Sequence, residues 1–278
     1  MREIESGIIS QAVKKLAMDA ACQLEPDILE SLVAARDRET SNLAKSGLEV
    51  LLLNADIASR ERIPVCQDTG VAVVFVWLGQ EVHVAGDLSA AIQEGVRAGY
   101  DEGFLRKSVC DPLTRQNTGT NTPAVVHLEM VPGDHLRIVL LPKGCGSENM
   151  SGLAMLPPSA GSAGVVDYVV ERVRAAGSNP CPPVVVGVGL GGTFEKAALL
   201  AKLALLRPLG EPHVRADVAM LEQDILARIN ATGQGVQGWG GNNTALAVHL
   251  EIFPTHIASL PVAVNIQCHA HRRKEIVL

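Results

Sequence analysis

Apolar residues in this chain follow two alternating rhythms, and that alternation confines it to a fold built from both helices and sheets. Short runs rich in β-branched residues read as strands: VAVVFVWL (71–78), AVVHLEMV (124–131), HLRIVLL (135–141), VVVGVGL (184–190), ALAVHLEI (245–252) and VAVNIQC (262–268). Between them, apolar residues recur at three- and four-residue spacing, as in Ile8, Ile9, Val13 and Leu16 and then Ile28, Leu32 and Val33. That spacing predicts amphipathic helices over 7–22, 26–60, 165–176, 194–206 and 214–231, with Pro26 at the start of the second stretch. Asp87 is placed to cap a helix running to about Lys107. HVAG (83–86) reads as the end of a hairpin arm, and Pro132-Gly133-Asp134 reads as the turn of a hairpin between the strands at 124–131 and 135–141. Residues 142–164 are rich in Gly, Pro and Ser and show no periodicity, which reads as loop. Strands and helices interleave without clean βαβ repeats. The expectation is a mixed α/β (α+β), helix-rich fold with short sheets, one domain over 1–278 and a single continuous core.

Composition removes several classes of function. At 278 residues, 47% of them hydrophobic and 19% charged, the chain is long enough to bury a core without staples. Twenty-four Lys and Arg against 30 Asp and Glu leave a net charge of −6, and only 3% of residues are aromatic. Nucleic-acid binding wants a basic stripe or a stacking platform, and this chain has neither signal. Ile252 to His271 lacks Asp, Lys and Arg and has Glu only before its start, at Glu251, but Pro254, Pro261, Asn265 and three histidines exclude an apolar membrane-spanning helix. The first twenty residues carry charges throughout and do not read as a secretory signal. The expected setting is the cytoplasm, with the six cysteines reduced.

The cysteines carry more information than the glycines. GVGLGG (187–192) follows a strand and precedes a helix, as a dinucleotide-binding turn would, but the acid-tipped second strand of such a site is missing. A tight strand-to-helix turn is the favoured reading, with a backbone cradle for another anion as a third. Cys22 falls on an amphipathic helix and reads as core, and Cys110 follows a helix with no polar cluster. Cys66, Cys145, Cys181 and Cys268 end apolar runs or sit in Gly/Pro-rich turns, with polar neighbours such as Gln67, Asp68, Glu148, Asn149 and His269. The absence of any CxxC pair disfavours a zinc ribbon or a thioredoxin-type site. Separate cysteines that converge on a metal or cluster, buried inert thiols, and a nucleophilic Cys181 or Cys268 all remain open on spacing alone. His256 has apolar neighbours and reads by itself as a core histidine. Arg106 and Lys107 read as cations at a helix C-terminus.

Five segments together resemble a known family: CQDTG (66–70), PKGCGSENMS (142–151), NPCPPVVVGVGLGGTFEKA (179–197), LLRPLG (205–210) and PTHIASLPVAVNIQCHAHRR (254–273). They resemble the α subunit, or N-terminal catalytic half, of the iron–sulfur class I fumarases and the related L-tartrate dehydratases. The resemblance implies a hydro-lyase that uses a [4Fe–4S] cluster with three cysteine ligands and one open iron. The matching ligand positions are Cys66, Cys181 and Cys268, which leaves Cys22, Cys110 and Cys145 outside the set. It also places Gln67, Asp68, Arg106 and His256 around a small dicarboxylate substrate, Arg106 against a carboxylate. The 142–151 loop would line the same pocket, with no separate roles assigned to Lys143, Glu148 or Asn149. Single-chain relatives carry a further domain with the catalytic base, so the resemblance implies a separate β subunit here and an α–α dimer within a heterotetramer. Fumarate is the expected substrate and tartrate the alternative. Outside that chemistry, a non-catalytic cluster carrier or redox sensor is the competing reading.

Overall fold

The computed structural model describes residues 2–278. The elements run β1 (Arg2–Glu5), α1 (Ser6–Cys22), α2 (Pro26–Arg38), α3 (Asn42–Glu61), β2 (Val71–Gly79), β3 (Val82–Ala85), α4 (Leu88–Glu102), β4 (Val125–Val131), β5 (Leu136–Lys143) and the one-turn α5 (Cys145–Glu148). Then follow β6 (Gly152–Leu156), α6 (Gly161–Ala176), β7 (Val184–Gly191), α7 (Phe194–Ala204), α8 (Ala216–Ala231), β8 (Ala245–Phe253), β9 (Leu260–Gln267) and β10 (Lys274–Val277). The mixed α/β character and the prevalence of helix are as the periodicity predicts. The chain divides into two compact units. One comprises Met1–Glu25, Asn54–Cys145 and Arg272–Leu278, the other Pro26–Leu53 and Gly146–His271.

The first unit is organised around a four-stranded sheet in the order β10-β5-β2-β4, with β1 and β3 forming a small parallel pair. Helices α1 and α4 pack against each other and close the core with Ile9, Val13, Leu16, Ile92 and Val96, which join Val74, Val76, Ile138 and Leu140 from the sheet. Each of these side chains contributes roughly 1.5–3 kcal/mol by leaving water. Two hairpin expectations fail here. β4 and β5 do not pair with each other, because β2 lies between them, parallel to β4 and antiparallel to β5. β2 is buried over most of its length, so a central position satisfies its backbone on both edges. The HVAG segment does not return on β2 either, because β3 pairs with β1. Asp87 does cap α4, its carboxylate accepting from Ala90 N at 2.9 Å. The helix stops at Glu102, short of Lys107, since Gly103 follows and Phe104 is left-handed at φ 51°.

The second unit holds the sheet β6-β9-β7-β8, with β7 parallel to β8 and antiparallel to β9. Helices α6 and α8 cover one face through Val165, Val169, Ile225 and Ile229. Helix α7 packs on β7 and β9 through Ala197 and Ala201. The glycine motif has its explanation in that packing. A Cβ on Gly187 would stand 2.1 Å from the Ala201 carbonyl oxygen, and one on Gly189 would stand 2.0 Å from that of Ala197. The glycines let helix backbone lie directly on strand, a packing role independent of any nucleotide. The 26–60 stretch is two helices, broken at Glu39-Thr40-Ser41. The Glu39 carboxylate, 7% exposed, accepts from Thr40 N, Ser41 N, Asn242 N and Asn243 Nδ2 at 2.7–3.0 Å. Residues 142–164, expected to be loop, contain α5, β6 and the start of α6. Five residues in a Gly/Pro/Ser-rich context carry too little alternation to announce β6.

Candidate functional site

In the first unit, the segment after α3 is fixed before it reaches Cys66. Val65 N donates to Ala21 O at 2.9 Å, and Asn54 Nδ2 donates to Val65 O at 2.8 Å. Cys66 is partly exposed and Gln67 is exposed, with the Cys66 thiol 3.6 Å from Gln67 Oε1. Asp68 is clamped by backbone donors: Gly70 N to Oδ1 at 3.0 Å and Cys145 N to Oδ2 at 2.8 Å. A carboxylate held by two N–H groups presents fixed oxygens to whatever approaches it. Thr69, 2% exposed, donates from Oγ1 to the Arg106 carbonyl at 3.0 Å, tying the CQDTG turn to the segment that follows α4. The Arg106 side chain is exposed. Tyr100 lies beneath the turn, its hydroxyl 2.9 Å from Thr69 O and 3.0 Å from Gly70 O, and Asn121 Nδ2 donates to Gly70 O at 3.1 Å. Burial pushes the Tyr100 hydroxyl far above its ordinary pKa, while Arg272 pulls it down and Asp68 raises it further. Tyr100 therefore stays a neutral donor. Thus Cys66, Gln67, Asp68 and the Arg106 backbone share one braced surface, and Thr69, Tyr100 and Asn121 do the bracing.

In the second unit, Cys181 and Cys268 sit on turns joined by hydrogen bonds. Cys181 is exposed and adopts φ 55°, a left-handed conformation uncommon for a residue with a side chain. Its N–H donates to Ser178 O at 3.0 Å. Its carbonyl lies 3.0 Å from His269 Nδ1, which also stands 3.3 Å from Gln237 Nε2. Gln237 Nε2 donates to Pro182 O at 2.8 Å, and Gln237 is itself left-handed at φ 55°. Cys268 is partly exposed, its thiol 3.7 Å from Ala270 O. Glu148 forms an ion pair with Lys202 and accepts from Asn265 Nδ2 at 2.9 Å. His256 is not a core histidine: it is exposed on the β8–β9 connection. Its Nδ1 accepts from Ala258 N at 3.1 Å. With Thr193, Lys196, Phe253 and Ser259 it lines a cavity of about 550 Å³. Ordinary inward-packing logic places apolar neighbours in the interior, and here Pro254 and a turn at 257–258 carry the histidine out to solvent instead.

Of the remaining cysteines, Cys22 lies in a core, as its helix position predicts. It is 5% exposed there, in the first unit, and burial pushes its thiol up. Cys110 pairs its backbone with Asn117, and Cys145 opens α5. No disulfide joins any of the six. Among the described residues no three or more His, Cys, Asp or Glu side chains are grouped to hold a metal ion. No helix among them is long and apolar enough to cross a membrane.

The chain matches the family model described as fumarate hydratase (Fumerase) over residues 10–277. It is similar to a Methanocaldococcus jannaschii protein provisionally named L(+)-tartrate dehydratase subunit alpha, at 42% identity over 272 residues, 95% of each chain. It is 33% identical over 279 residues to the L(+)-tartrate dehydratase subunit alpha of Escherichia coli O157:H7, spanning 96% of this chain and 92% of that one. The same-named protein of Escherichia coli K12 is 32% identical over 279 residues with the same coverage.

Proposed function

Because this chain belongs to the fumarate hydratase (Fumerase) family, which makes it a hydro-lyase, we propose that it is the α subunit of a [4Fe–4S]-dependent enzyme that reversibly hydrates fumarate to (S)-malate with a separate β subunit. The observation that carries this reading is the bracing of the three cysteine turns. Cys66, Cys181 and Cys268 each stand on a turn tied down by backbone or side-chain bonds, and each is partly or fully exposed. Thiolates are what an iron–sulfur cluster takes, and none of the three is consumed in a disulfide. The donor set therefore fits the group, and these three residues would hold it. When bound, such a cluster supplies an iron free of protein thiolate that acts as a Lewis acid toward a substrate hydroxyl and carboxylate.

The chain's own residues supply the rest. Arg106 offers a guanidinium whose fork matches a carboxylate, and Gln67 offers a neutral donor and acceptor beside it. Asp68 arrives with both oxygens already held by backbone N–H, so substrate binding does not have to order it. His256 offers Nε2, since Nδ1 is engaged by Ala258 N. The base that moves the carbon-bound proton belongs to the β subunit in this reading, with α chains paired as a dimer within a heterotetramer. A second substrate, L-tartrate, is favoured by the names of the relatives, each an L(+)-tartrate dehydratase subunit alpha.

The test is anaerobic reconstitution with the β chain followed by assays on fumarate and L-tartrate. Serine replacements at Cys66, Cys181 and Cys268 are each expected to lose iron, sulfide and visible absorbance. Any one variant that keeps a full cluster removes that ligand from the set. Turnover of neither substrate by the cluster-loaded pair overturns the hydro-lyase assignment.

A further inference from the structure

Arg272 is the most deeply buried large cation in the chain, 1% exposed, and neither Nε nor Nη1 has a hydrogen-bond partner. Such a side chain is unusual. Burying a charge costs several kcal/mol, and arginines kept for structure alone are normally tied to carbonyls or carboxylates. What this one retains is its charge, and the sheet of the first unit shows where that charge is aimed. β10 pairs with β5 so that Lys274 faces Leu140, which brings Arg272 to the C-terminal end of β5. On the other side of β5, β2 pairs with Val71 opposite Lys143, which carries Asp68 to the same end. Between them lies Gly144. A Cβ built there would be 3.3 Å from Asp68 Oδ2 and 3.5 Å from Arg272 Nη2. Carboxylate and guanidinium thus flank one glycine that has no side chain to separate them. Tyr100 registers both charges at once, as opposing influences on its hydroxyl.

We propose that Arg272 is a positioning residue that acts through Asp68. Its buried positive charge holds the Asp68 carboxylate over Gly144, in the orientation fixed from the other side by Gly70 N and Cys145 N. Being enclosed, the guanidinium does not itself meet substrate. The proposal rests on the reading of Asp68 as a site residue and adds the group behind it.

A double-mutant cycle on the reconstituted two-subunit enzyme separates the possibilities. Arg272→Met fills the same space without charge. Since removing one of two facing buried charges leaves the other uncompensated, its Tm is expected to fall somewhat below that of the parent chain while the chain still folds. Its kcat is expected to fall about tenfold or more with KM changed less than about threefold, and Arg272→Lys should recover most of the loss. Asp68→Asn combined with Arg272→Met should be no slower than Asp68→Asn alone, because one residue works through the other. Wild-type turnover by Arg272→Met, or a double variant slowed by the product of the two single effects, overturns the proposal. So does an Arg272→Met chain that fails to fold, which would assign the residue to the fold alone. Wild-type turnover by Asp68→Asn would instead remove Asp68 from the site, a failure of the earlier reading.

Discussion

At Gly70 a methyl group has no room: φ is +81°, and a Cβ would lie 2.8 Å from the backbone N and C of Lys143. Gly70→Ala is therefore expected to lose about 2–3 kcal/mol in urea unfolding, and to disturb Asp68, whose Oδ1 the Gly70 N–H holds. Glu39 gives the residue-scale pH prediction. Burial works against its charge, but N–H groups of Ser41, Asn243, Asn242 and Thr40 outweigh burial and hold its carboxyl below the usual glutamate range. A depressed carboxyl stabilises the fold above its unfolded pKa, and that stability disappears as pH falls through the folded value. Glu39→Gln should then cost about 1–3 kcal/mol at pH 7 and much less near pH 3, read as Tm against pH. An equal cost at both values would assign the effect to geometry rather than charge. Individual residues differ in how far the chain announces them. Cys66, Cys181 and Cys268 stand out only as members of motifs, since spacing alone left inert thiols and nucleophiles in play. Thr69, Tyr100 and Gln237 went unread, because what they do is hydrogen-bond across sequence gaps that no local pattern encodes.

Helices were legible as elements wherever an apolar stripe persisted for three turns, and Pro26 and Asp87 marked two of their starts correctly. Strand pairing was not legible. Pro-Gly-Asp between two apolar runs fits a hairpin locally, and only the burial of β2 on both sides makes insertion between β4 and β5 the better arrangement. Local turn chemistry lost to the demand of a central strand for two partners. The glycine motif is the tight strand-to-helix turn favoured from the sequence, and the structure adds the reason: Gly187 and Gly189 face α7, and a pattern of glycines does not by itself say whether phosphate or helix backbone approaches. Gly189→Ala tests that directly. Its methyl would meet the Ala197 carbonyl, so α7 has to move, at about 2–3 kcal/mol of stability in denaturant unfolding. A stability within 0.5 kcal/mol of the parent, roughly the scatter of a surface substitution, would contradict direct helix-on-strand packing.

For the molecule as a whole, the proposed division of labour predicts that the α chain alone, purified anaerobically with its cluster, turns over fumarate and tartrate poorly or not at all until the β chain is added. Equal rates with and without β would end the two-subunit reading. The proposed open iron corner further predicts that long exposure to air abolishes activity and bleaches the visible absorbance, with iron and sulfide restoring both. Family and hydro-lyase chemistry were legible from five segments spread over nearly the whole length, while the choice of substrate was not, since the fumarase-like motifs and the names of the relatives point to different acids. One feature of connectivity reaches back to how the chain is made. β5 gains its outer neighbour only when β10 emerges, roughly 130 residues later, which at about 5–20 residues per second is on the order of ten seconds of synthesis. Through that interval the nascent first unit carries an apolar strand with one raw edge, LRIVLL, and the yield of soluble protein becomes a contest between ribosome speed and any other strand that finds that edge first.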